Sequence, residues 1–225
     1  MRYYPIHLDV RDRKCLVVGG GSVGTRKVIG LLECGAKVSV ISPVATEKLN
    51  EMVAADTISL KKRPYRPSDL QGMFLVIGAT DNETLNRKIH ADAEGSNLLC
   101  NIADRPAICN FILPAIIQRG DFVMTVSTAG KSPAFAKTIR QQLESQFGDE
   151  YGDLLALMGA IREKLLAEAH QPEEHKPLFE KLIAGDLLTL VKDKHHAQID
   201  QLLEEVLGPG YRYSQLMTSN RSTGE

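Results

Sequence analysis

Residues 15–27 read CLVVGGGSVGTRK, an apolar run that passes straight into clustered glycines and then into a helix-like pattern. Gly19-Gly20-Gly21-Ser22-Val23-Gly24 matches G-x-G-x-x-G. The match carries weight because a strand is expected before it and a helix after it. Gly19 permits the tight turn, Gly21 lets the backbone approach a pyrophosphate, and Gly24 lets the helix pack close to the strand. The N–H groups where the helix opens, around Ser22 and Val23, then face the anion.

The same alternation continues along the chain. Residues 14–19 read as a buried strand. Val23, Val28, Ile29, Leu31 and Leu32 give a helical face over 22–34, closed by Gly35. A strand over 37–42 stops at Pro43, a helix spans 45–54, and strands follow at 57–62 and 73–79. Asn82 is placed to cap a helix over 83–94, and 97–102 is one more strand. This alternation predicts an α/β domain with a parallel, doubly wound sheet. Ligands in such sheets lie beyond the carboxyl ends of the strands, where Ala79, Thr80 and Asp81 follow a central strand. An acidic residue usually ends the second strand and binds the ribose. Here Ser42 and Pro43 stand there, and no acid occurs between Glu33 and Glu47. Ser42 can make one ribose hydrogen bond, and the residues alone leave NAD or NADP open.

The pattern changes after Asp104. Residues 111–117 and 121–127 read as strands joined by Gln118-Arg119-Gly120. Ser132 as N-cap and Pro133 at the first position open a helix to Phe147, which Gly148 ends. From 150 onward the chain is helical and acidic. Breaks are expected at Gln171-Pro172, His175-Lys176-Pro177 and Gly185-Asp186, with Gly208-Pro209-Gly210 closing the last helix and a loose polar tail from about 214. The expected domains are 1–112, 113–148 and 149–225.

The 225 residues are 43% hydrophobic, which excludes a disordered or fibrous chain. The net charge of −1 gives no global field toward nucleic acid or membrane, and neither is expected as a partner. The balance is uneven: residues 105–140 carry 5 basic and 1 acidic side chains, whereas 141–225 carry 8 and 15. A basic segment in a near-neutral chain suits a small anionic ligand. Cys15, Cys34, Cys100 and Cys109 form no CxxC pair and sit among mostly apolar neighbours, as reduced thiols of a cytoplasmic protein do. No signal-peptide core or membrane span is expected.

Several sequences that suggest other chemistry fail on spacing. Gly130-Lys131-Ser132 resembles the end of a triphosphate loop, but Thr125 stands where that motif needs glycine. His195-His196 point in different directions on a helix, and His170 and His175 flank an expected proline break, so no metal site is expected. Lys61-Lys62-Arg63 reads as an exposed strand end.

VVGGGSVGTRK, IGATDN, CNIADRP and VSTAGKSPAFAKTIR occur in that order, and together they resemble the siroheme synthase dehydrogenase family. The resemblance spans roughly residues 1–205. It implies an NAD-binding Rossmann domain, a small α+β dimerisation domain and a helical C-terminal domain. It also implies a homodimer, with the active site between the cofactor domain and elements of the partner chain. The implied reaction oxidises precorrin-2, a tetrapyrrole with eight carboxylates, to sirohydrochlorin, with NAD taking the hydride. Some relatives also insert iron, and others pass the product to a separate chelatase. The family motif places a functional aspartate at Asp104, a candidate proton acceptor. Ser127 and Thr128 match the family's serine-rich turn, where they either contact a substrate carboxylate or pin the turn. Arg105, Lys131, Lys137 and Arg140 are candidates for the substrate carboxylates. The rival reading is a dinucleotide-sensing regulatory module without catalysis.

Overall fold

The apolar stretch before the glycines forms β1 (Lys14–Val18), whose Cys15, Leu16 and Val17 are fully buried. α1 (Ser22–Glu33), β2 (Lys37–Ile41), α2 (Glu47–Ala54), β3 (Ser59–Lys61), β4 (Leu75–Gly78), α3 (Glu83–Gly95) and β5 (Leu99–Ile102) follow in alternation. The strands form one parallel sheet in the order β3-β2-β1-β4-β5. Val18 pairs with Ile41 on one side and Gly78 on the other, and Gly78 pairs with Ile102. That register sets the carboxyl ends of four strands along one edge. Successive strand residues serve opposite faces. Cys15, Val17, Val38, Val40, Leu75 and Ile77 pack with Val28 of α1 and Leu49 of α2. Leu16, Val18, Val76, Cys100 and Ile102 pack with Ile89 and Ala93 of α3. Burial on both faces is why these strands read as continuous apolar runs.

The computed structural model describes residues 2–168 and 172–219, with the backbone alone at 172–174 and 219. It divides into two units, Met1–Leu113 with Ala129–Lys131, and Pro114–Thr128 with Ser132–Glu225.

In the second unit, β6 (Ala115–Arg119) and β7 (Phe122–Val126) form an antiparallel pair. Gly120 turns between them at φ +56°. The strand expected from 111 begins only at Ala115. Phe111 is held in the first unit, where its carbonyl accepts from Asn101 Nδ2 at 3.0 Å and its ring packs on the core. α4 (Pro133–Gln146) starts as expected, with Ser132 Oγ accepting from the Phe135 N–H at 3.2 Å. Phe122 stacks on Phe147 and on Tyr151, which are tilted against each other, where β7, the end of α4 and α5 (Glu150–Ala167) meet. α6 (Pro172–Ala184), α7 (Leu187–Lys192), α8 (His196–Leu207) and α9 (Tyr213–Ser219) complete the unit.

Two further expectations differ from the structure. α6 runs unbroken through His175-Lys176-Pro177. An interior proline costs about 3 kcal/mol. The turn after it buries Leu182 fully and Leu178 and Phe179 in part, and each buried side chain of that size returns about 2 kcal/mol. The chain beyond Gly208-Pro209-Gly210 is also not loose as far as residue 219. α9 buries Leu216, and Tyr211 donates to Glu168 Oε2 at 2.6 Å. The Tyr213 N–H donates to Asp200 Oδ1 at 2.7 Å. These partners are remote in sequence, so a local reading of polarity misses them. His170, Gln171 and the tail beyond 219 lie outside the described residues. Among the described residues, no helix is long and apolar enough to cross a membrane.

Candidate functional site

A cleft of about 650 Å³ opens at the carboxyl edge of the sheet in the first unit. The glycine loop between β1 and α1 forms its floor. Gly19, Gly21, Ser22 and Val23 line it, as do Ser42 at the end of β2, Ala79, Thr80 and Asp81 after β4, and Asp104 after β5. Sequence-predicted positions from four loops are thus brought to one place.

The glycines differ in what they permit. Gly19 adopts φ +119°, and a Cβ there would run into the Ala79 carbonyl. A Cβ on Gly24 would run into the Gly19 carbonyl, so Gly24 sets the close packing of α1 on β1 and does not line the cleft. A Cβ on Gly21 would meet nothing within 4 Å. Packing therefore does not demand glycine at 21, and a side chain there would occupy the cleft itself. Gly21 is also the N-cap of α1 and offers no side-chain acceptor. The first-turn N–H groups of α1 are left to face a ligand. A bare helix start beside a cradle that a Cβ would fill suits a pyrophosphate.

Residues that the sequence did not single out hold these loops. Thr25 Oγ1 donates to the Gly21 carbonyl at 2.9 Å and lies 2.8 Å from Thr46 Oγ1. Thr46 caps α2, and its N–H donates to the Gly20 carbonyl at 3.0 Å. The glycine loop is thereby stitched to the loop after β2. Asn86, which is buried, donates to the Thr80 carbonyl and accepts from Thr80 Oγ1, both at 2.8 Å. Asn82 Oδ1 accepts from the Leu85 N–H at 2.9 Å, the cap read from sequence. Tyr65 lines the far side of the cleft and donates to Asp92 Oδ2 at 3.0 Å. Burial and that carboxylate push its phenol well above the usual range, so it stays neutral.

Asp104 is exposed and sits in the left-handed region at φ +59°. Its neighbour Arg105 pairs with Glu83 at 3.5 Å, and Arg87 pairs with the same carboxylate at 2.9 Å. The two guanidiniums hold the Glu83 carboxyl below its ordinary value, Arg87 more strongly. Lys27 stands on α1, half-buried. Burial lowers its ammonium pKa, Arg26 adds to that, and Asp104 opposes it.

The remaining basic candidates are divided. Lys131 is exposed and belongs to the first unit, while Lys137 and Arg140 stand on α4 in the second. Arg140 pairs with Glu144 one turn along α4. Thr128 Oγ1 accepts from the Ser132 N–H and lies 3.1 Å from the Ser132 carbonyl, so it pins the turn before α4. Ser127 is exposed. No group of three or more His, Cys, Asp or Glu among the described residues could hold a metal ion.

Residues 6–115 match a family model described as "Putative NAD(P)-binding", and residues 124–146 match the sirohaem biosynthesis protein central model. The chain is 33% identical over 219 residues to a siroheme synthase of Vesicomyosocius okutanii, covering 94% of this chain and 47% of that protein. It is 35% identical to the siroheme synthase of Thioalkalivibrio sulfidiphilus, over 93% of this chain and 43% of that one. The chain thus spans about half the length of the curated relatives it matches. A solved structure named SirC, precorrin-2 dehydrogenase, superposes with a TM-score of 0.73 at 23% identity, covering 98% of this chain and 100% of that one. At that identity the match establishes the fold.

Proposed function

We propose that the chain is a member of the siroheme synthase dehydrogenase family and that it oxidises precorrin-2 to sirohydrochlorin with NAD. The observation that carries the reading is the cleft with a bare helix start and open Gly21 at one loop and the carboxylate of Asp104 at another. NAD supplies the hydride acceptor when bound. Gly19, Gly21, Ser22 and Val23 form the pyrophosphate cradle, and Gly24 serves it from behind by letting α1 pack close to β1. Ser42 takes the ribose side, and Ala79, Thr80 and Asp81 form the wall along which the cofactor lies.

The oxidation removes a hydride and a proton from the tetrapyrrole. Asp104 accepts the proton at its carboxylate, which the backbone after β5 presents to the cleft. Binding and orientation do the rest. Arg105, Lys131, Lys137 and Arg140 take substrate carboxylates. For Arg105 and Arg140 this means exchanging Glu83 and Glu144 for the ligand. Ser127 contributes a hydroxyl at the same turn that Thr128 pins.

We place the enzyme in the cytoplasm as a homodimer of three-domain chains, divided at 1–112, 113–148 and 149–225. Exposed Ile116 on β6 and Phe135 on α4 support the dimer, because they leave apolar surface for a second copy. The direct test is anaerobic turnover of precorrin-2 with NAD, followed by Fe²⁺. Sirohydrochlorin formation supports the dehydrogenase, and metal insertion above the protein-free rate adds chelatase activity. If Fe²⁺ is not inserted, the product passes to a separate chelatase. Tight NAD binding with no oxidation would favour the sensor.

A further inference from the structure

Lys27 closes the quoted motif and is not part of the cofactor cradle. It lies four residues after Val23, which lines the cleft, so the two share a face of α1. Lys27 itself does not line the cleft but stands one turn behind that lining residue, and helical side chains lean toward the helix N-terminus, the direction of the cleft. Asp104 is close enough to act on it electrostatically, yet no carboxylate among the described residues comes within ion-pair distance. Three nearby cations are already paired: Arg63 with Asp69, and Arg105 and Arg87 with Glu83. A half-buried ammonium that lacks a counter-ion beside a ligand cleft is completed by an anion that arrives with the ligand.

We propose that Lys27 receives a carboxylate of the tetrapyrrole substrate beside Asp104, and so sets which part of the ring faces the proton acceptor. The inference rests on the precorrin-2 reading. A cofactor phosphate is the other source of negative charge. The first-turn N–H groups of α1 already provide for that phosphate, and Lys27 lies a turn beyond them on the side that Asp104 shares. Arg26, the next residue back, is exposed, so the half-buried position belongs to Lys27.

The test uses the full chain as Lys27→Met, which keeps the stem and removes the charge, and Lys27→Arg, which restores it. Three quantities are read: NAD affinity, KM and kcat for precorrin-2, and the affinity for uroporphyrin I, an octacarboxylate porphyrin whose fluorescence reports binding without turnover. Lys27→Met is expected to weaken uroporphyrin binding and raise KM by roughly ten- to a hundredfold, the loss of one charge-assisted hydrogen bond. NAD affinity should stay within about twofold, a neutral outcome in the absence of a phosphate contact. Lys27→Arg should recover most of the loss. Unchanged uroporphyrin affinity in Lys27→Met, with wild-type turnover intact, overturns the inference and leaves the dehydrogenase reading standing. A loss of NAD affinity instead assigns Lys27 to the cofactor and also overturns it. A wild-type chain that does not oxidise precorrin-2 removes the premise and the inference together.

Discussion

At the scale of single residues, Gly21 and Gly24 make opposite predictions from one motif. Gly21→Asp places a side chain and a charge in the cleft, where a Cβ meets no protein atom within 4 Å. The variant is expected to melt like wild type and to lose NAD affinity by about a hundredfold or more, which titration beside a thermal melt will read. Gly24→Ala drives a methyl into the Gly19 carbonyl and is expected to cost about 1–3 kcal/mol of stability. Asp104→Asn keeps the size and removes the base. It should leave NAD affinity unchanged and lower kcat about a hundredfold or more. The motif glycines and Asp104 were legible because turn geometry and the family motif fix residue type. Thr25, Thr46 and Asn86 were not legible. Their hydrogen bonds join loops that only the sheet order brings together, and Thr25 and Thr46 are 21 positions apart. Lys27 could have been found from its i+4 relation to Val23.

At the scale of elements, caps and paired charges carry the testable consequences. Asn82→Ala removes the acceptor of the Leu85 N–H and should lower stability by about 1 kcal/mol, measured by denaturant unfolding. The segment after β3 is held by Arg63 and Asp69, 2.5 Å apart, with the Asp69 side chain 5% exposed. The Arg63 hydrogen bonds lower the Asp69 pKa, the Arg66 N–H adds to this, and burial opposes it. Its folded pKa therefore lies below the unfolded one. The stabilisation is complete above the unfolded value, near the ordinary 3.8, and is lost as pH falls through the folded value. Asp69→Asn should cost about 2 kcal/mol at pH 7. The melting gap to wild type should narrow steadily below about pH 4. A gap that is the same at pH 7 and pH 3 would show that the carboxylate charge is not what holds the segment. Element type was readable wherever apolar period and cap agreed, as at Asn82 and Ser132. It was not readable at Pro177, where burial of the following turn outweighs the proline.

At the scale of the whole molecule, the alternation of strand and helix through residue 102 was enough to give the sheet, because parallel strands buried on both faces leave a continuous apolar signature. The second unit was less legible, since its helical core draws on α5 to α9 and no one segment shows the partners. The proposed dimer makes its own prediction: light scattering should give twice the 24.8 kDa chain mass. Ile116→Asp with Phe135→Glu should reduce it to the single-chain value without changing NAD affinity. The proposed oxidation of precorrin-2 at this cleft is read by anaerobic absorbance during incubation of purified chain with precorrin-2 and NAD, beside Asp104→Asn. Sirohydrochlorin formation is expected from the wild type, and a rate at least about a hundredfold lower from the variant. Equal rates in the two, or no oxidation by wild-type protein that binds NAD, would contradict it.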